Sequence, residues 1–415
     1  MNILFLSTEI PFPLDHGHHL RTYHVLRILA KEHKIYFVCF AKDGVRVEYQ
    51  RKLEEMCERV DIFTLRFRGW RQLMLVLLNL FSTLPLIAQK YYDARVAAHI
   101  KKLIDEAKID LIHIDLLHIA SYRRGLNSTP AILVNHNVES LRMLRWARVE
   151  RNLLLKGFLL YQHLKLKNFE KSICREFDRC AVVSDYDKEF LFQLCGGGNF
   201  VTIPNGVDVS YFQVSDVILI PNSLVWVGSM SGPYNRDAVI YFLKEIWSHI
   251  QSVIYDAKVM FVGSSPANLL ERVAKKSPNV EYTGYVDDVR SYVAQASVFI
   301  APLRSGSGTK IKVLNAMSQG KPVVTTSIGA EGIEAKSDEE IIVADDPQEF
   351  AEKTIYLLQH PKVAEQIGLR ARKVIEEKYD WKVINAKIRQ VYDELGKEST
   401  VENKYEVTHK HLVRD

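Results

Sequence analysis

The sequence predicts a two-domain α/β protein in which each domain is built on a mostly parallel, doubly wound sheet. The chain has 415 residues, whereas a single hydrophobic core rarely grows beyond ~250–300 residues. Hydrophobic residues make up 47% of the chain and charged residues 25%, a composition typical of globular proteins. Short apolar runs alternate with helical patterns in both halves, as in strand–helix–strand units.

The apolar runs of the first half are predicted to be the strands Asn2–Ser7, Ile35–Phe40, Ile109–Ile114, Ala131–Asn135 and Cys180–Ser184. Helical patterns such as Leu20–Ala30 and Asp93–Ala107 separate them. The second half repeats the arrangement with the predicted strands Leu224–Gly228, Lys258–Gly263, Val280–Tyr282, Val298–Ala301, Pro322–Thr325 and Ile341–Val343. We therefore predict a first domain over residues 1–212, a second over 213–379, a last helix over 380–395 and a flexible tail over 396–415. Because ligands of such folds bind beyond the carboxyl ends of the strands, we expect the active site in the cleft between the domains.

Charge and cysteine content exclude several classes of protein. The net charge of +5 and the pI near 8.7 are mild, so no nucleic-acid partner is expected. The cysteines are odd in number, contain no C-x-x-C pair and predict neither a disulfide framework nor a zinc site: they are Cys39, Cys57, Cys174, Cys180 and Cys195. Met1 opens an apolar strand pattern without a basic leader or a cleavage site. These features predict a cytoplasmic protein.

One uncharged stretch, Gln72–Gln89, bears on the location of the protein. It is shorter than the ~20 apolar residues of a spanning helix and contains Asn79 and Pro85. Basic and aromatic residues flank it, as in helices that lie in a membrane interface, and the stretch Arg142–Arg175 is also basic and apolar. Two interpretations remain open: a buried helix of the first domain, or peripheral attachment to the anionic inner face of the plasma membrane.

The stretch Ala301–Ile333 combines a Gly/Ser loop, a cationic helix and a buried strand. Gly306 and Gly308 allow close approach of the backbone to a ligand, and the free N–H groups of a predicted helix over Thr309–Gln319 attract anions. Full positive charge is added by Arg304, Lys310 and Lys312. The pattern indicates a diphosphate site; the alternative is an ordinary glycine-containing connection whose lysines are solvated.

This stretch resembles the donor-site signature of glycosyltransferase family 4. Further segments that resemble the family occur in its order: Asn135–Glu139, Val182–Leu191, Pro204–Asp208 and Val225–Met230. The resemblance covers about residues 1–395. It implies the GT-B fold of two Rossmann-like domains, a last helix that packs back on the first domain, and retaining transfer from a nucleotide diphosphosugar. In such a transfer the leaving phosphate itself takes the proton of the acceptor.

The resemblance also assigns candidate site residues. Donor-binding positions are Gly17, Gly228, Ser229, Arg304, Gly306, Gly308, Thr309, Lys310, Lys312 and Glu331. His136 occupies the position of a histidine near the reacting centre; the alternative is a loop histidine that caps the next helix. Ser307 and Asn315 stand where the family has two glutamates, so the catalytic positions lack carboxylates. Asn315 can still exchange hydrogen bonds with ribose hydroxyls, but without the strength that charge adds.

No metal or other cofactor is predicted. The loop histidines His16, His18 and His19 lack a carboxylate-rich partner set in the sequence, and GT-B enzymes generally hold the diphosphate without a bound ion. The nucleotide diphosphosugar is a co-substrate rather than a cofactor.

The sequence therefore predicts a metal-independent retaining glycosyltransferase that acts on a lipid-linked or polysaccharide acceptor in cell-surface glycan synthesis. The alternative is a non-catalytic, nucleotide-sugar-binding relative that lost the paired glutamates. A GT-B epimerase or phosphorylase fits less well, because the first would need carboxylates and the second a longer chain.

Overall fold

The structure is a computed structural model that describes residues 1–14, 17–41, 44–65, 69–126, 129–265 and 279–412, with side chains to residue 397. The chain divides into two compact units. The first unit comprises Met1–Ser140, Leu160–Ile203 and Asn385–Asp415, and the second comprises Leu141–Leu159 and Pro204–Ile384. Alternating strand and helix patterns do not predict this exchange of segments, because a helix can leave one core and enter another without any change of pattern.

The first unit contains a parallel sheet in the order β3-β2-β1-β4-β5-β6-β7. Its strands are β1 (Asn2–Ser7), β2 (Lys34–Ala41), β3 (Arg59–Thr64), β4 (Leu111–Asp115), β5 (Ala131–Val134), β6 (Arg179–Val182) and β7 (Phe200–Thr202). Its helices are Gly17–Leu29, Val47–Glu54, Trp70–Asn79, Leu86–Tyr91, Ala94–Ala107 and Asp185–Cys195, with 3₁₀ turns at Leu117–Arg123 and Cys174–Glu176. The central strands are almost completely buried, as expected when helices cover both faces of a sheet.

The second unit contains a parallel sheet in the order β10-β9-β8-β11-β12-β13. Its strands are β8 (Ser223–Val227), β9 (Lys258–Val262), β10 (Val280–Gly284), β11 (Val298–Ala301), β12 (Val323–Thr325) and β13 (Ile342–Val343). Its helices are Pro233–Tyr241, Trp247–Val253, Arg290–Gln295, Ile311–Ser318, Ser327–Ala330, Pro347–Gln359 and Pro361–Lys378, with a π turn at Phe242–Ile246. Three helices have residues in both units: Glu139–Val149, Leu153–Ile173 and Trp381–Leu412.

Each predicted strand is present with its ends shifted by no more than a few residues. The sequence did not predict β3 and β7, because they are short or partly exposed and lack a continuous apolar run. The last helix, Trp381–Leu412, continues beyond residue 395, where it was predicted to end.

The uncharged stretch Gln72–Gln89 forms parts of two helices, Trp70–Asn79 and Leu86–Tyr91, rather than one. The interpretation of Gln72–Gln89 as one buried helix is wrong for its first part, because Asn79 is the one buried residue of Trp70–Asn79 and several apolar side chains are exposed. Ala88 in the second part is buried. Within the described residues, no helix is long and apolar enough to cross a membrane.

A direct contact between backbones fixes the helix Ile311–Ser318, which lies at the predicted donor site. Gly320, with φ +67°, lies in the turn that connects this helix to β12. Gly368 of the helix Pro361–Lys378 packs against that turn. A Cβ atom on Gly368 would lie 2.0 Å from the carbonyl oxygen of Gly320, too close for any side chain. The two helices can approach this closely only with glycine at position 368.

We expect Gly368→Ala to destabilise the second unit by about 1–3 kcal/mol, because the new methyl group must displace the turn at Gly320. The matched control is Gly157→Ala in the helix Leu153–Ile173, where a Cβ would meet no atom within 4 Å. That substitution should stabilise by about 0.5–1 kcal/mol, since alanine favours helix. Denaturant unfolding followed by tryptophan fluorescence measures both, and equal stability of the two variants would contradict the packing argument.

Candidate functional site

Polar groups gather at the carboxyl ends of β8, β9 and β11 in the second unit. Gly228 follows β8 with φ +152°, and a Cβ on it would lie 2.6 Å from Lys312 Nζ. Gly263 follows β9, and a Cβ there would lie 2.2 Å from the carbonyl oxygen of Gly228. The ends of β8 and β9 therefore contact each other through backbone atoms alone. The ammonium group of Lys312 occupies the space that a side chain at position 228 would need.

Lys312 projects from the helix Ile311–Ser318 and is held by neutral groups. Its Nζ donates to Asn235 Oδ1 at 2.8 Å and lies 4.2 Å from the ring centroid of Trp226. The Nδ2 of Asn235 donates to the carbonyl oxygen of Ser229 at 2.7 Å, and Ser229 Oγ lies 2.8 Å from Ser264 Oγ. Burial, with a smaller contribution from Lys310, lowers the pKa of Lys312 to about 7. A bound anion would restore its charge.

The loop between β11 and this helix has mostly buried polar residues, including Ser307 and Thr309. Gly306 has φ +123°, a conformation that residues with a side chain rarely adopt. The helix begins at Ile311, two residues later than predicted, and Lys310 at its N-cap donates from Nζ to the carbonyl oxygen of Gly308 at 2.5 Å. No side chain caps this helix start, so its first N–H groups can bind an anion.

Arg304 is paired with a carboxylate, in contrast to Lys312. Its Nε and Nη2 donate to the two carboxylate oxygens of Asp237 at 3.1 and 2.6 Å, and its guanidinium lies 4.3 Å from the ring centroid of Tyr241. Asp237 therefore neutralises the charge that the sequence assigned to the donor. Arg236, the basic residue nearest the Gly228 turn, donates to the carbonyl oxygens of Met230 and Ser231 in its own loop.

Glu331 forms a nearly buried ion pair with Arg145. Arg145 Nη2 lies 2.6 Å from Glu331 Oε2, and Nη1 lies 2.9 Å from Oε1. The same Nη1 donates to the carbonyl oxygen of Gly306 at 2.8 Å. The side chains are 11% and 8% exposed. The resemblance assigns Glu331 to donor binding, and in the structure its carboxylate binds the arginine that also fixes the glycine loop.

The first unit holds a chain of hydrogen bonds around His136, which follows β5. His136 Nε2 lies 2.7 Å from Asp115 Oδ1, and His136 Nδ1 lies 3.3 Å from His18 Nδ1. Thr22 donates to Asp115 Oδ2 at 2.5 Å, and Thr8 Oγ1 lies 3.3 Å from His18 Nε2. One assignment of protons satisfies the chain: Asp115 accepts from His136 Nε2–H, His136 Nδ1 accepts from His18 Nδ1–H, and His18 Nε2 accepts from Thr8.

The charges in this cluster are set by burial and by the neighbours. Burial lowers the pKa of His18 to about 4, so His18 is neutral near pH 7. Burial acts to raise the pKa of Asp115, but His136 and His113 outweigh it and hold this pKa well below the usual range. Burial also lowers the pKa of the nearby Arg21 to about 10, which leaves it charged. The cluster thus contains one carboxylate that its neighbours keep ionised.

The same side chains could also hold a metal ion, because ligand atoms of His18, Asp115 and His136 lie within 4.8 Å of one another. The sequence excluded a metal for lack of a carboxylate near the loop histidines, and Asp115 supplies one. His19 instead bonds Pro13 O through Nδ1 at 2.6 Å and lies 3.3 Å from Glu9 Oε1. His16 lies outside the described residues. Gly17 is the first residue of the helix that carries His18.

Asp115, Asn235 and Arg145 are among the site residues that were not predicted. A signal was present for Asp115, because a carboxylate that ends a buried run lies at the carboxyl edge of the sheet. Asn315, at a predicted catalytic position, lies half-buried on the helix Ile311–Ser318. Neither Asn315 nor Ser307 supplies the missing negative charge.

Two parallel-sheet α/β units are the architecture of the GT-B class of glycosyltransferases, and solved structures of that class are similar to this chain. Sucrose-phosphate synthase from Thermosynechococcus elongatus has a TM-score of 0.69 at 15% identity, covering 95% of this chain and 99% of its own. Anabaena HepE in complex with UDP has a TM-score of 0.67 at 15% identity, covering 95% and 100%. At this identity the likeness shows the fold.

Sequence comparison gives the family. The model described as Glycosyltransferase Family 4 matches residues 16–211, and that described as Glycosyl transferases group 1 matches residues 221–360. The chain belongs to glycosyltransferase family 4.

Among its relatives, an uncharacterized 44.6 kDa protein of the Klebsiella pneumoniae cps region is 23% identical over 399 residues, 93% of this chain and 98% of the relative. The Staphylococcus aureus capsular polysaccharide biosynthesis glycosyltransferase CapM is 25% identical over 295 residues, 67% and 76% of the two chains. A phosphatidyl-myo-inositol mannosyltransferase of Mycolicibacterium smegmatis is 27% identical over 225 residues, 52% and 56%. The chain thus has relatives that are glycosyltransferases of capsular polysaccharide and glycolipid synthesis.

We expect Glu331→Gln to destabilise the second unit by about 3–5 kcal/mol, because it leaves the buried charge of Arg145 without its carboxylate. The matched control is Glu334→Gln, which removes the partner of Lys378 in a pair whose side chains are 61% and 44% exposed. That change should stay within about 1 kcal/mol. Denaturant unfolding compares the two, and similar stability of both variants would show that the Arg145 pair is not a structural clamp.

Proposed function

We propose that the protein is a retaining glycosyltransferase that moves a sugar from a nucleotide diphosphosugar to a lipid-linked or polysaccharide acceptor in cell-surface glycan synthesis. The observation that carries the proposal is the ammonium group of Lys312 below the Gly228 turn, near the uncapped start of the helix Ile311–Ser318. A lysine whose pKa is lowered to about 7 by burial gains charge and a partner when a diphosphate binds. HepE, a neighbour in fold, has been solved with UDP and with UDP-glucose.

The proposed chemistry needs a cation on the leaving group rather than a protein nucleophile. As the bond from the sugar C1 to the diphosphate oxygen breaks, negative charge develops on the diphosphate, and Lys312 with the helix N–H groups stabilises it. The acceptor hydroxyl attacks C1 from the same face, and its proton passes to the released diphosphate oxygen. Lys312 supplies positive charge that a divalent ion provides in other phosphate sites, so we propose that the transfer is metal-independent.

We assign the histidine cluster to the sugar and acceptor side of the reaction. Asp115 fixes His136 in one tautomer. One ring nitrogen at the end of β5 is then a hydrogen-bond donor and the other an acceptor. On this proposal Asp115 and His18 are positioning residues, while Gly228, Ser229, Gly306, Gly308 and Lys310 bind the donor.

We further propose that the protein works in the cytoplasm, attached peripherally to the membrane. The helix Trp70–Asn79 and the turn after it present apolar side chains to solvent: Trp70 is 71% exposed, Leu73 62% and Phe81 91%. Solvent-exposed apolar residues next to basic ones are typical of surfaces that bind membranes. Sedimentation with anionic vesicles measures this attachment, and a chain that stays in the supernatant would refute it.

A second candidate is a nucleotide-sugar-binding relative without catalysis. The observation in its favour is that the carboxylates are missing or occupied: Ser307 and Asn315 are neutral, and Glu331 is paired with Arg145.

Calorimetry with UDP, GDP, ADP and CMP tests the donor site. We expect one nucleoside diphosphate to bind, and Lys312→Ala to weaken its binding at least about tenfold, the effect of one charge-assisted hydrogen bond.

The affinity for the nucleoside diphosphate should also depend on pH. Above pH ~7, Lys312 of the free protein loses its proton while the phosphate is already ionised, so the affinity should fall with rising pH, by up to about tenfold per pH unit. Lys312→Ala should lack this pH dependence. An affinity that changes neither with pH nor with the substitution would refute the role of Lys312. Added EDTA should leave the affinity unchanged.

Turnover separates the two candidate functions. The native chain should release the free nucleoside diphosphate and form product in which the anomeric configuration of the donor is kept, as judged by NMR of the new linkage. Asn315→Glu should raise donor affinity, because a carboxylate binds hydroxyl groups more strongly than an amide does. Turnover seen only in Asn315→Glu would establish the binding relative, and an inverted product would exclude the retaining mechanism.

A further inference from the structure

We propose that His113 and Tyr392 are positioning residues of the histidine cluster in the first unit. Tyr392 fixes which ring nitrogen of His113 carries the proton. The N–H of His113 then lies beside Asp115, the carboxylate that holds His136. On the proposed function this cluster serves the sugar and the acceptor, so the effect of the two residues on turnover rests on that proposal, whereas the protonation pattern does not.

Tyr392 places a hydroxyl group deep inside the first unit. It lies on the last helix and is almost completely buried, as are Ile388 and Leu395 on the same face of that helix. A buried hydroxyl group costs free energy unless it forms a hydrogen bond. The hydroxyl group of Tyr392 forms one with Nδ1 of His113, 279 positions away in the sequence. Burial raises the pKa of Tyr392, so the hydroxyl group keeps its proton at neutral pH.

The ring of His113 is stacked against aromatic neighbours. His113 belongs to β4, and its ring centroid lies 3.8 Å from that of Phe5, with 16° between the two planes. The ring of Tyr392 is also nearly parallel to it, with the centroids 6.1 Å apart. Burial lowers the pKa of His113, so the ring is neutral near pH 7 and one of its two nitrogens carries a proton.

The contacts of His113 decide which nitrogen carries that proton. Nδ1 faces the hydroxyl group of Tyr392. Nε2 lies 3.9 Å from Oδ1 of Asp115, too far for a hydrogen bond, and it forms none with any residue that the structure describes. A proton on Nδ1 would leave a lone pair of Nε2 beside the carboxylate, which repels it. A proton on Nε2 lets Nδ1 accept from Tyr392 and places an N–H beside the carboxylate, which favours the ionised form.

Asp115 connects His113 to the histidine cluster. Its Oδ1 accepts from Nε2 of His136 at 2.7 Å and is the oxygen beside Nε2 of His113, while its Oδ2 accepts from Thr22 at 2.5 Å. Against the effect of burial, His136 and His113 hold the pKa of Asp115 well below its usual range. Loss of the N–H at His113 would therefore raise the pKa of Asp115 and weaken its hold on the tautomer of His136.

A purely structural role is the alternative. The hydrogen bond between Tyr392 and His113 also ties the last helix to β4, and its loss would then lower stability without any change at His136. The two roles differ in what happens to the ring nitrogens of His136 and to turnover.

NMR of the full-length chain with ¹⁵N-labelled histidines tests the protonation pattern, because two-bond couplings show which ring nitrogen carries a proton. We expect His113 to hold its proton on Nε2. Tyr392→Phe should shift the signals of both His113 and His136, since hydrogen bonds in one chain strengthen each other. The matched control is Tyr122→Phe, which also removes a buried hydroxyl group of the first unit, one that donates to the carbonyl oxygen of Tyr91 at 2.7 Å. It should leave both histidines unchanged.

Turnover with the donor that calorimetry identifies tests the effect on the reaction. His113→Phe keeps a ring but removes the N–H, and we expect it to lower kcat at least about fivefold, the contribution of one ordinary hydrogen bond, with KM for the donor unchanged. His113→Gln should recover part of kcat, because its amide N–H can take the place of the ring N–H.

Three results would overturn the inference. They are a proton on Nδ1 of His113 in the native chain, the same His136 signals with and without the hydroxyl group of Tyr392, and equal kcat values of His113→Phe and His113→Gln. Denaturant unfolding shows that each variant is folded, and Tyr392→Phe removes a single oxygen atom. The NMR result does not depend on turnover, so a native chain with the expected protonation pattern and no turnover would refute the proposed function alone.

Discussion

The proposed donor site of this protein depends on one cation that the fold holds without a carboxylate. Lys312 contacts the Asn235 amide oxygen and the ring of Trp226, both of which are neutral. A cation over a desolvated ring gains about 2 kcal/mol, less than the hydration it loses, and the lowered pKa expresses this deficit. Arg304, a few residues away in sequence, is neutralised by Asp237. One of these cations is thus held by neutral groups, whereas the charge of the other is neutralised within the protein.

The first unit, in contrast, buries an anion, the carboxylate of Asp115. Asp115 accepts hydrogen bonds from His136 and Thr22, and Arg21 lies close enough to favour the ionised carboxylate. These residues are far apart in sequence but meet because β1 lies beside β4 and β4 beside β5, with Ser7 paired to Asp115 and Asp115 to Val134. Parallel pairing places all of these strand ends at one edge of the sheet. The topology thus assembles the cluster without long loops.

The sequence predicts strands and the glycine loop well, because both leave local signals. Apolar runs of strand length indicate β8 to β13. Gly306 indicates the loop, and its positive φ in the structure explains why a glycine stands there. Pairing between distant residues leaves no such signal. Arg145 lies in a basic, amphipathic helix and has the sequence appearance of a surface residue, yet it binds Glu331, 186 positions away. Sequence could not decide which of Arg304 and Lys312 is neutralised, since that depends on Asp237 and Asn235, both outside the motif.

The replacement of the two family glutamates by Ser307 and Asn315 and the position of Lys312 have a common physical consequence. Cations near the start of a helix are unfavourable, because the helix dipole is positive there, and the first turn of Ile311–Ser318 contains no acidic residue to offset Lys310 and Lys312. With glutamates in place, those charges would be neutralised within the protein. Without them, residues 302–318 contain no carboxylate, and burial leaves Lys312 with a lowered pKa, so that this group gains charge when an anion binds. On the proposed function, the same substitutions that weaken contacts to hydroxyl groups leave this charge to the diphosphate, so the phosphates carry more of the donor binding than the ribose does.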